Sequence, residues 1–187
     1  MLFNYIFILQ MEIKDYIRDI PDFPSEGILY RDITPLLKDS AAFKYVVNQI
    51  SKSIPTDIDA IIAPESRGFI FASAVCFNLN KKLILARKKG KLPFKTFEIE
   101  YQLEYGSDCF QMHIDSLEKG SKVAIIDDLL ATGGTISAIE ELVTNFESEI
   151  KHVAFVIELL NLNGRNNINC KNINKGYWKG NITDWIE

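Results

Sequence analysis

Residues 123–135, Val-Ala-Ile-Ile-Asp-Asp-Leu-Leu-Ala-Thr-Gly-Gly-Thr, constrain the fold more than any other stretch of the chain. Val123 to Ile126 is an unbroken apolar, largely β-branched run, the pattern of a strand buried on both faces of a parallel sheet. Asp127 and Asp128 stand where that strand emerges. Gly133 and Gly134 make a loop, and Ile136, Ile139, Val143 and Phe146 then recur at helical spacing. Strand, acidic pair, glycine loop and helix together put a ligand at the carboxyl end of a sheet. Free N–H groups of Ala131, Thr132, Gly133, Gly134 and Thr135 at a helix start would wrap a phosphate, helped by the helix dipole and two threonine hydroxyls. Two carboxylates repel a phosphate, so they are expected to face neutral hydroxyls or a divalent cation. A phosphorylated sugar with a vicinal diol meets both demands. Gly-Gly-Thr alone would be only a capped turn; the acidic pair directly after a buried strand raises it above that.

A second strand–loop–helix unit follows the same plan. Asp59 to Ala63 is a candidate buried strand ending at Pro64, and the apolar run Phe69 to Leu79 predicts a helix. Between them lies Glu65-Ser66-Arg67-Gly68, which on local pattern alone could also be a capped turn with its charges in solvent. Leu83 to Ala86 is a third β-type run. It leads into Arg87, Lys88, Lys89, Lys91 and Lys95, five cations within nine residues and no acid among them. Such a run is either a solvated loop or the counterpart of a polyphosphate.

The remaining elements are plainer. Residues 96–105 alternate apolar and polar, Gly106 to Asp108 turns the chain, and Cys109 to Ile114 returns, which predicts a two-stranded ribbon. Residues 40–54 predict a helix with Phe43, Val46, Val47 and Ile50 inward and an N-cap from the Asp39-Ser40 pair. Residues 152–160 predict a further central strand with Glu158 and Leu159 at its end. Ile13, Tyr16, Ile17 and Ile20 share one face of an expected amphipathic helix. Residues 21–37, with three prolines and a glycine, exclude a helix and predict an ordered segment laid over something else.

A length of 187 residues fits a single domain with a substantial core. A net charge of −4 argues against general nucleic-acid affinity, which needs a basic face. Cys76, Cys109 and Cys170 are widely spaced without a CxxC, the pattern of reduced thiols in a cytoplasmic protein. His113 and His152 lie in strand-like runs and read as structural. Met1 to Gln10 is apolar but short and lacks a basic flank, so neither a membrane span nor an export signal is expected. Either an upstream start before Met11 or a loosely packed extension accounts for it.

Leu-Leu-Ala-Thr-Gly-Gly-Thr at 129–135 resembles the phosphoribosyl-diphosphate (PRPP) signature of type I phosphoribosyltransferases, in the form of the adenine branch. Arg-Lys-Lys-Gly-Lys-Leu-Pro at 87–93, Leu-Glu-Tyr-Gly at 103–106, the loop at 65–68, the 21–37 segment and the turn at 161–165 are similar to further strings of that family. The resemblance covers roughly residues 13–165 and fades over 166–187. It implies an α/β fold: an open, mainly parallel twisted sheet flanked by helices, with an N-terminal hood and a flexible β-ribbon loop. The corresponding organisation is one domain over 1–187, with 1–10 as an extension, 11–37 as helix plus hood, 38–165 as core and 166–187 as a divergent tail.

The resemblance also implies roles. Glu65, Ser66, Arg67 and Gly68 would hold pyrophosphate, across a peptide before the serine that is often strained. Arg87, Lys88 and Lys91 would face the same anion. Asp127 and Asp128 would bind ribose hydroxyls, with Mg²⁺ held near them mainly through PRPP and water. Ala131 to Thr135 would take the remaining phosphate. Leu29, Tyr30 and Arg31 would meet one side of the base and Leu159 the other. Glu104 and Tyr105 would sit on the catalytic loop, with Arg67 and Arg87 stabilising the leaving group. The implied activity is purine salvage: adenine and PRPP give AMP and pyrophosphate, in a cytoplasmic homodimer. Another base specificity would alter the hood and position 159. A PRPP-sensing regulator would tend to lose the 103–106 string.

Overall fold

The computed structural model describes residues 11–102, 107–174 and 176–180. They fall into two units, Met1–Tyr45 and Val46–Glu187. In the first, strands β1 (Arg18–Ile20) and β2 (Tyr30–Asp32) pair antiparallel with Asp19 opposite Arg31. Arg31 is buried, and its Nη1 lies 2.5 Å from Asp19 Oδ1. The amphipathic helix expected over 11–20 is not formed. A single 3-10 turn, Ile13–Tyr16, gives way to β1. The spacing of Ile13, Tyr16, Ile17 and Ile20 fits a helix, but pairing with a strand twelve residues later overrides local propensity. The connection is held by Asp22 and Gly27, both with positive φ, and by Gly27 N–H donating to Asp22 Oδ1 at 2.8 Å. Leu29 is buried directly before β2. The short helix α1 (Thr34–Lys38) follows, with Asp32 accepting from Thr34 N and Oγ1.

Helix α2 (Ser40–Ser53) starts as predicted, Asp39 Oδ1 accepting from Ala41 N and Ala42 N. The second unit is a seven-stranded sheet in the order β5-β6-β4-β3-β7-β8-β9. The strands are β3 (Ala60–Pro64), β4 (Lys82–Lys88), β5 (Thr96–Gln102), β6 (Ser107–His113), β7 (Lys122–Leu130), β8 (Glu149–Leu159) and β9 (Trp178–Gly180). β4, β3, β7, β8 and β9 are mutually parallel, and β5 and β6 form the antiparallel ribbon. Helix α3 (Gly68–Leu79) connects β3 to β4, and α4 (Gly134–Thr144) connects β7 to β8. One crossover runs outward from the β3–β7 pair in one direction along the sheet, the other in the opposite direction. Since such crossovers are right-handed, the two helices cover opposite faces. α3 packs on β3, β4 and β7, whereas α4 packs on β5, β6 and β8. The alternation agrees, with Ala60, Ile62, Val123 and Ile125 in the core with Ile136, Ile139 and Leu142 of α4.

The point where the strand order reverses is therefore the gap between the carboxyl ends of β3 and β7. In open α/β sheets that is where a ligand crevice forms. The mainly parallel α/β sheet expected from the sequence is thus observed. Of the tail left unassigned by sequence, Asn172 to Asn174 and Trp178 to Gly180 lie along β8. Asn174 exchanges hydrogen bonds with both backbone groups of Phe155, at 3.0 Å each, and β9 adds three residues beside Ile157–Leu159. Leu83 and Leu85 of β4 are exposed. Among the described residues, no helix is long and apolar enough to cross a membrane.

Candidate active site

Three loops leave the carboxyl ends of β3, β4 and β7, and they carry most of the cations and carboxylates singled out by sequence. The first joins Glu65 to Ser66 through a cis peptide. The Glu65 carboxylate accepts from Arg87 Nε and Nη2, each at 3.3 Å, and from Lys88 N at 3.0 Å. Hydrogen bonding from Arg87 holds the Glu65 pKa below its ordinary value against the opposing effect of burial. The β3 and β4 loops are thereby tied together. Arg87 also points Nη1 at the Lys91 carbonyl, 3.5 Å away, and its guanidinium stands 5.9 Å from the Phe69 ring.

Asp127 and Asp128 follow the continuously buried run Val123 to Ile126 of β7. Asp128 is 4% exposed, and its Oδ2 lies 2.9 Å from Arg67 Nε. Asp127 Oδ1 accepts the Asp128 N–H at 2.8 Å. Gly68 explains why α3 starts on a glycine. A Cβ there would stand 2.9 Å from Asp127 Oδ1 and 3.0 Å from the Ile126 carbonyl oxygen. Burial raises the pKa of Asp127 well above the usual range, and the neighbouring Asp128 charge adds to it. Burial raises Asp128 as well, opposed by Arg67. Two desolvated carboxylates side by side at a strand end are costly for the fold, the mark of a functional constellation.

The third loop runs from Leu130 to α4. Gly133 sits at φ +85°, a conformation open to glycine, immediately before the helix. Thr132 Oγ1 accepts weakly from Gly134 N at 3.5 Å. Among the described residues, the N–H groups of Thr132 and Gly133 have no protein partner.

Sequence reasoning missed what stands behind this loop. Glu158, one residue before the buried Leu159 at the end of β8, accepts from Arg165 Nε at 2.5 Å and Nη2 at 2.9 Å. Lys179 Nζ lies 3.6 Å from Glu158 Oε2, the oxygen that also accepts from Arg165 Nη2. The only sequence signal was an acid at a strand end with an arginine seven residues later, which is too common a spacing to use.

The structure thus brings together Glu65, Ser66, Arg67, Gly68, Arg87, Lys91, Asp127, Asp128 and Ala131–Thr135 around the β3–β7 switch point. Lys88 is placed differently from its neighbours. Its backbone joins the loop, but its ammonium reaches the ribbon, contacting Tyr101 Oη at 2.6 Å and Asp108 Oδ2. Leu29, Tyr30 and Arg31 belong to the first unit. Glu104 and Tyr105 lie outside the described residues.

The Phosphoribosyl transferase domain family matches residues 36–187. The adenine phosphoribosyltransferase of Petrotoga mobilis is 50% identical over 159 residues, 84% of this chain and 92% of that one. That of Thermosipho africanus is 49% identical over 87% of this chain and 96% of its own length. The crystal structure of the Thermoanaerobacter pseudethanolicus adenine phosphoribosyltransferase superimposes with a TM-score of 0.86 at 43% identity, over 90% of this chain and 98% of that one. The Saccharomyces cerevisiae enzyme, solved with an imino-altritol bisphosphate and adenine, gives 0.80 at 35% identity, covering 87% and 95%. On the fold, the switch-point loops and this likeness, the chain belongs to the adenine phosphoribosyltransferases of the phosphoribosyl transferase family.

Proposed function

We propose that the chain transfers the 5-phosphoribosyl group of PRPP to N9 of adenine, releasing pyrophosphate and forming AMP in purine salvage. The observation that carries the reading is the convergence of two arginines, a lysine-bearing loop, an acidic pair and a free-amide glycine loop at one sheet switch point. The relatives, near half identical over most of their length, are named for this activity.

The chemistry follows from charge. Displacement at the anomeric carbon builds positive charge on the ribose ring and negative charge on departing pyrophosphate. Catalysis then rests on orientation and preorganised electrostatics, without a covalent nucleophile. Arg67, Arg87 and Lys91 take the leaving anion. Arg87 reaches it from a guanidinium already oriented by Glu65, so little rotamer freedom is lost on binding. Arg67, paired with Asp128 in the free chain, links the pyrophosphate side to the ribose side. Asp127 and Asp128 accept the ribose hydroxyls, and Ala131 to Thr135 wrap the 5-phosphate. Leu29, Tyr30 and Arg31 serve the base from the hood segment, and Leu159 serves it from the end of β8. Glu104 is the base for the N9 proton, with Tyr105 beside it.

Mg²⁺ fits this donor set only as a companion of PRPP. Asp127 already accepts the Asp128 N–H, and Asp128 is paired with the Arg67 guanidinium. Two carboxylates holding a hydrated cation through water suit Mg²⁺, which dehydrates reluctantly. When bound, it would neutralise charge on the diphosphate.

The partners are thus adenine, PRPP, AMP and pyrophosphate, in the cytoplasm and in a homodimer. What supports the dimer is the outer face of α3 and β4. Ile70, Phe77, Leu83 and Leu85 are exposed there, Phe77 to 90%, with Ile70 and Phe77 seven residues apart on α3. Sedimentation of the full chain at twice the monomer mass is expected, and a monomer at all concentrations would remove this part. The activity is tested by incubating the chain with adenine, PRPP and Mg²⁺. AMP and pyrophosphate should appear in equal amounts, and no AMP would overturn the reading.

A further inference from the structure

We infer that the turn at 163–167 is the template that shapes the phosphate loop, and that Gly164 and Asn167 are positioning residues for phosphate-monoester binding. This rests on the proposed activity and adds two residues to its site.

The contact is made backbone to backbone. A Cβ on Gly164 would stand 2.2 Å from the Ala131 carbonyl oxygen and 3.0 Å from Leu130 Cδ1. A Cβ on Gly133 would stand 2.3 Å from the Gly164 carbonyl oxygen. Each glycine therefore accepts the other segment's carbonyl where any side chain would be. At Gly133 the positive φ is a second reason for glycine, but at Gly164 the close approach alone requires it. Asn167 completes the seat, donating from Nδ2 to the Thr132 carbonyl at 2.8 Å.

The consequence follows from peptide geometry. In a trans peptide the C=O of one residue and the N–H of the next point in opposite directions. With the carbonyls of Ala131 and Thr132 turned toward the 163–167 segment, the amides of Thr132 and Gly133 are turned away from it. Those amides have no protein partner among the described residues. They are also the donors a phosphate needs at this helix start. The turn itself is fixed from behind, since Arg165 holds Glu158 through two hydrogen bonds and the Asn174 carbonyl through a third at 2.6 Å. Anchoring runs from β8 through the turn to the loop, and the loop's amides are aimed before any anion arrives.

The test uses the full chain and the variants Asn167→Ala, Asn167→Asp and Gly164→Ala, with calorimetric titration of AMP and of PRPP with Mg²⁺. Asn167 is exposed, so its variants should melt with the native chain. Losing one neutral hydrogen bond should weaken both ligands about three- to tenfold in Asn167→Ala. Asn167→Asp, which keeps the size but sets an acceptor against the Thr132 carbonyl, should be at least as weak. Gly164→Ala, which must displace the loop backbone, should lose about a hundredfold. KM for PRPP should rise by the same factors while KM for adenine stays unchanged. Native AMP affinity in both Asn167 variants would overturn the inference, as would a common rise in both KM values. A wild-type chain that bound neither AMP nor PRPP would instead sink the activity reading.

Discussion

Asp127 shows at the scale of one residue how the site trades stability for chemistry. Its raised pKa, caused by burial and then by Asp128, means the native state favours the protonated carboxyl. A group raised in this way stabilises the fold fully below its ordinary value of 3.8, and the contribution is lost as pH climbs through the folded value. Toward neutral pH the buried carboxyl therefore contributes less to stability than it does in acid, and binding a ribose hydroxyl is what it is kept for. Asp127→Asn should raise the melting temperature at pH 7, equivalent to about 0.5–2 kcal/mol. The gain should shrink as pH falls toward 3.8. PRPP affinity should drop about tenfold or more, since a charge-assisted hydrogen bond contributes about 1.5–3 kcal/mol. Scanning fluorimetry across pH, with PRPP titration, checks both halves. A lower melting temperature with native PRPP affinity would reduce the carboxylate to a loop cap.

At the scale of elements, the β5–β6 ribbon pairs with β4 and is clamped further by the Lys88 side chain. Its ammonium lies 4.5 Å from the Phe110 ring centroid and 5.2 Å from that of Tyr101, which themselves stack at 5.4 Å. Burial works against the charge, but the hydrogen bonds Lys88 donates to Asp108 and Tyr101 outweigh it, and the Lys88 pKa is raised. Tyr101 and Asp108 are opposite each other in the register, two steps from the Glu104 string on either side. Lys88→Met keeps the apolar stem and removes the clamp. Amide exchange at Tyr101 and Asp108 should accelerate and kcat should fall about tenfold, with PRPP affinity changed by less than about threefold. Native exchange rates with a large loss of PRPP affinity would assign the ammonium to pyrophosphate. Glu104→Gln addresses the string itself: kcat should fall roughly 10²–10⁴-fold with PRPP binding little changed, if the carboxylate takes the N9 proton. Full activity would remove it from the mechanism.

Much of this was legible in the sequence, for physical reasons that also set the limits. Buried parallel strands are continuous apolar runs, so β3, β7 and β8 stood out, and period-two alternation gave the ribbon with Phe97, Ile99 and Tyr101 inward. Ile13 to Ile20 misled because periodicity reports which residues share a face and not whether a strand later in the chain competes for them. The tail was illegible because its hold on β8 involves Asn174 matching both the N–H and the carbonyl of Phe155, a contact that composition does not encode. The clasp of Gly133 and Gly164 was hidden for the same reason, being a fit between two backbones 31 residues apart.

On the scale of the whole molecule, two helices on opposite faces of one sheet open a crevice at the switch point, and every charged loop of the site projects there. The central claim is that this crevice serves adenine as acceptor. A base site that hydrogen-bonds one exocyclic pattern leaves its own polar groups unpaired when offered another, and discrimination of about 10⁴-fold or more follows. The most direct measurement is kcat/KM for adenine, hypoxanthine and guanine with PRPP and Mg²⁺ held saturating. The account predicts AMP formation from adenine exceeding nucleotide formation from either other base by about that factor, and comparable values for hypoxanthine or guanine would contradict it.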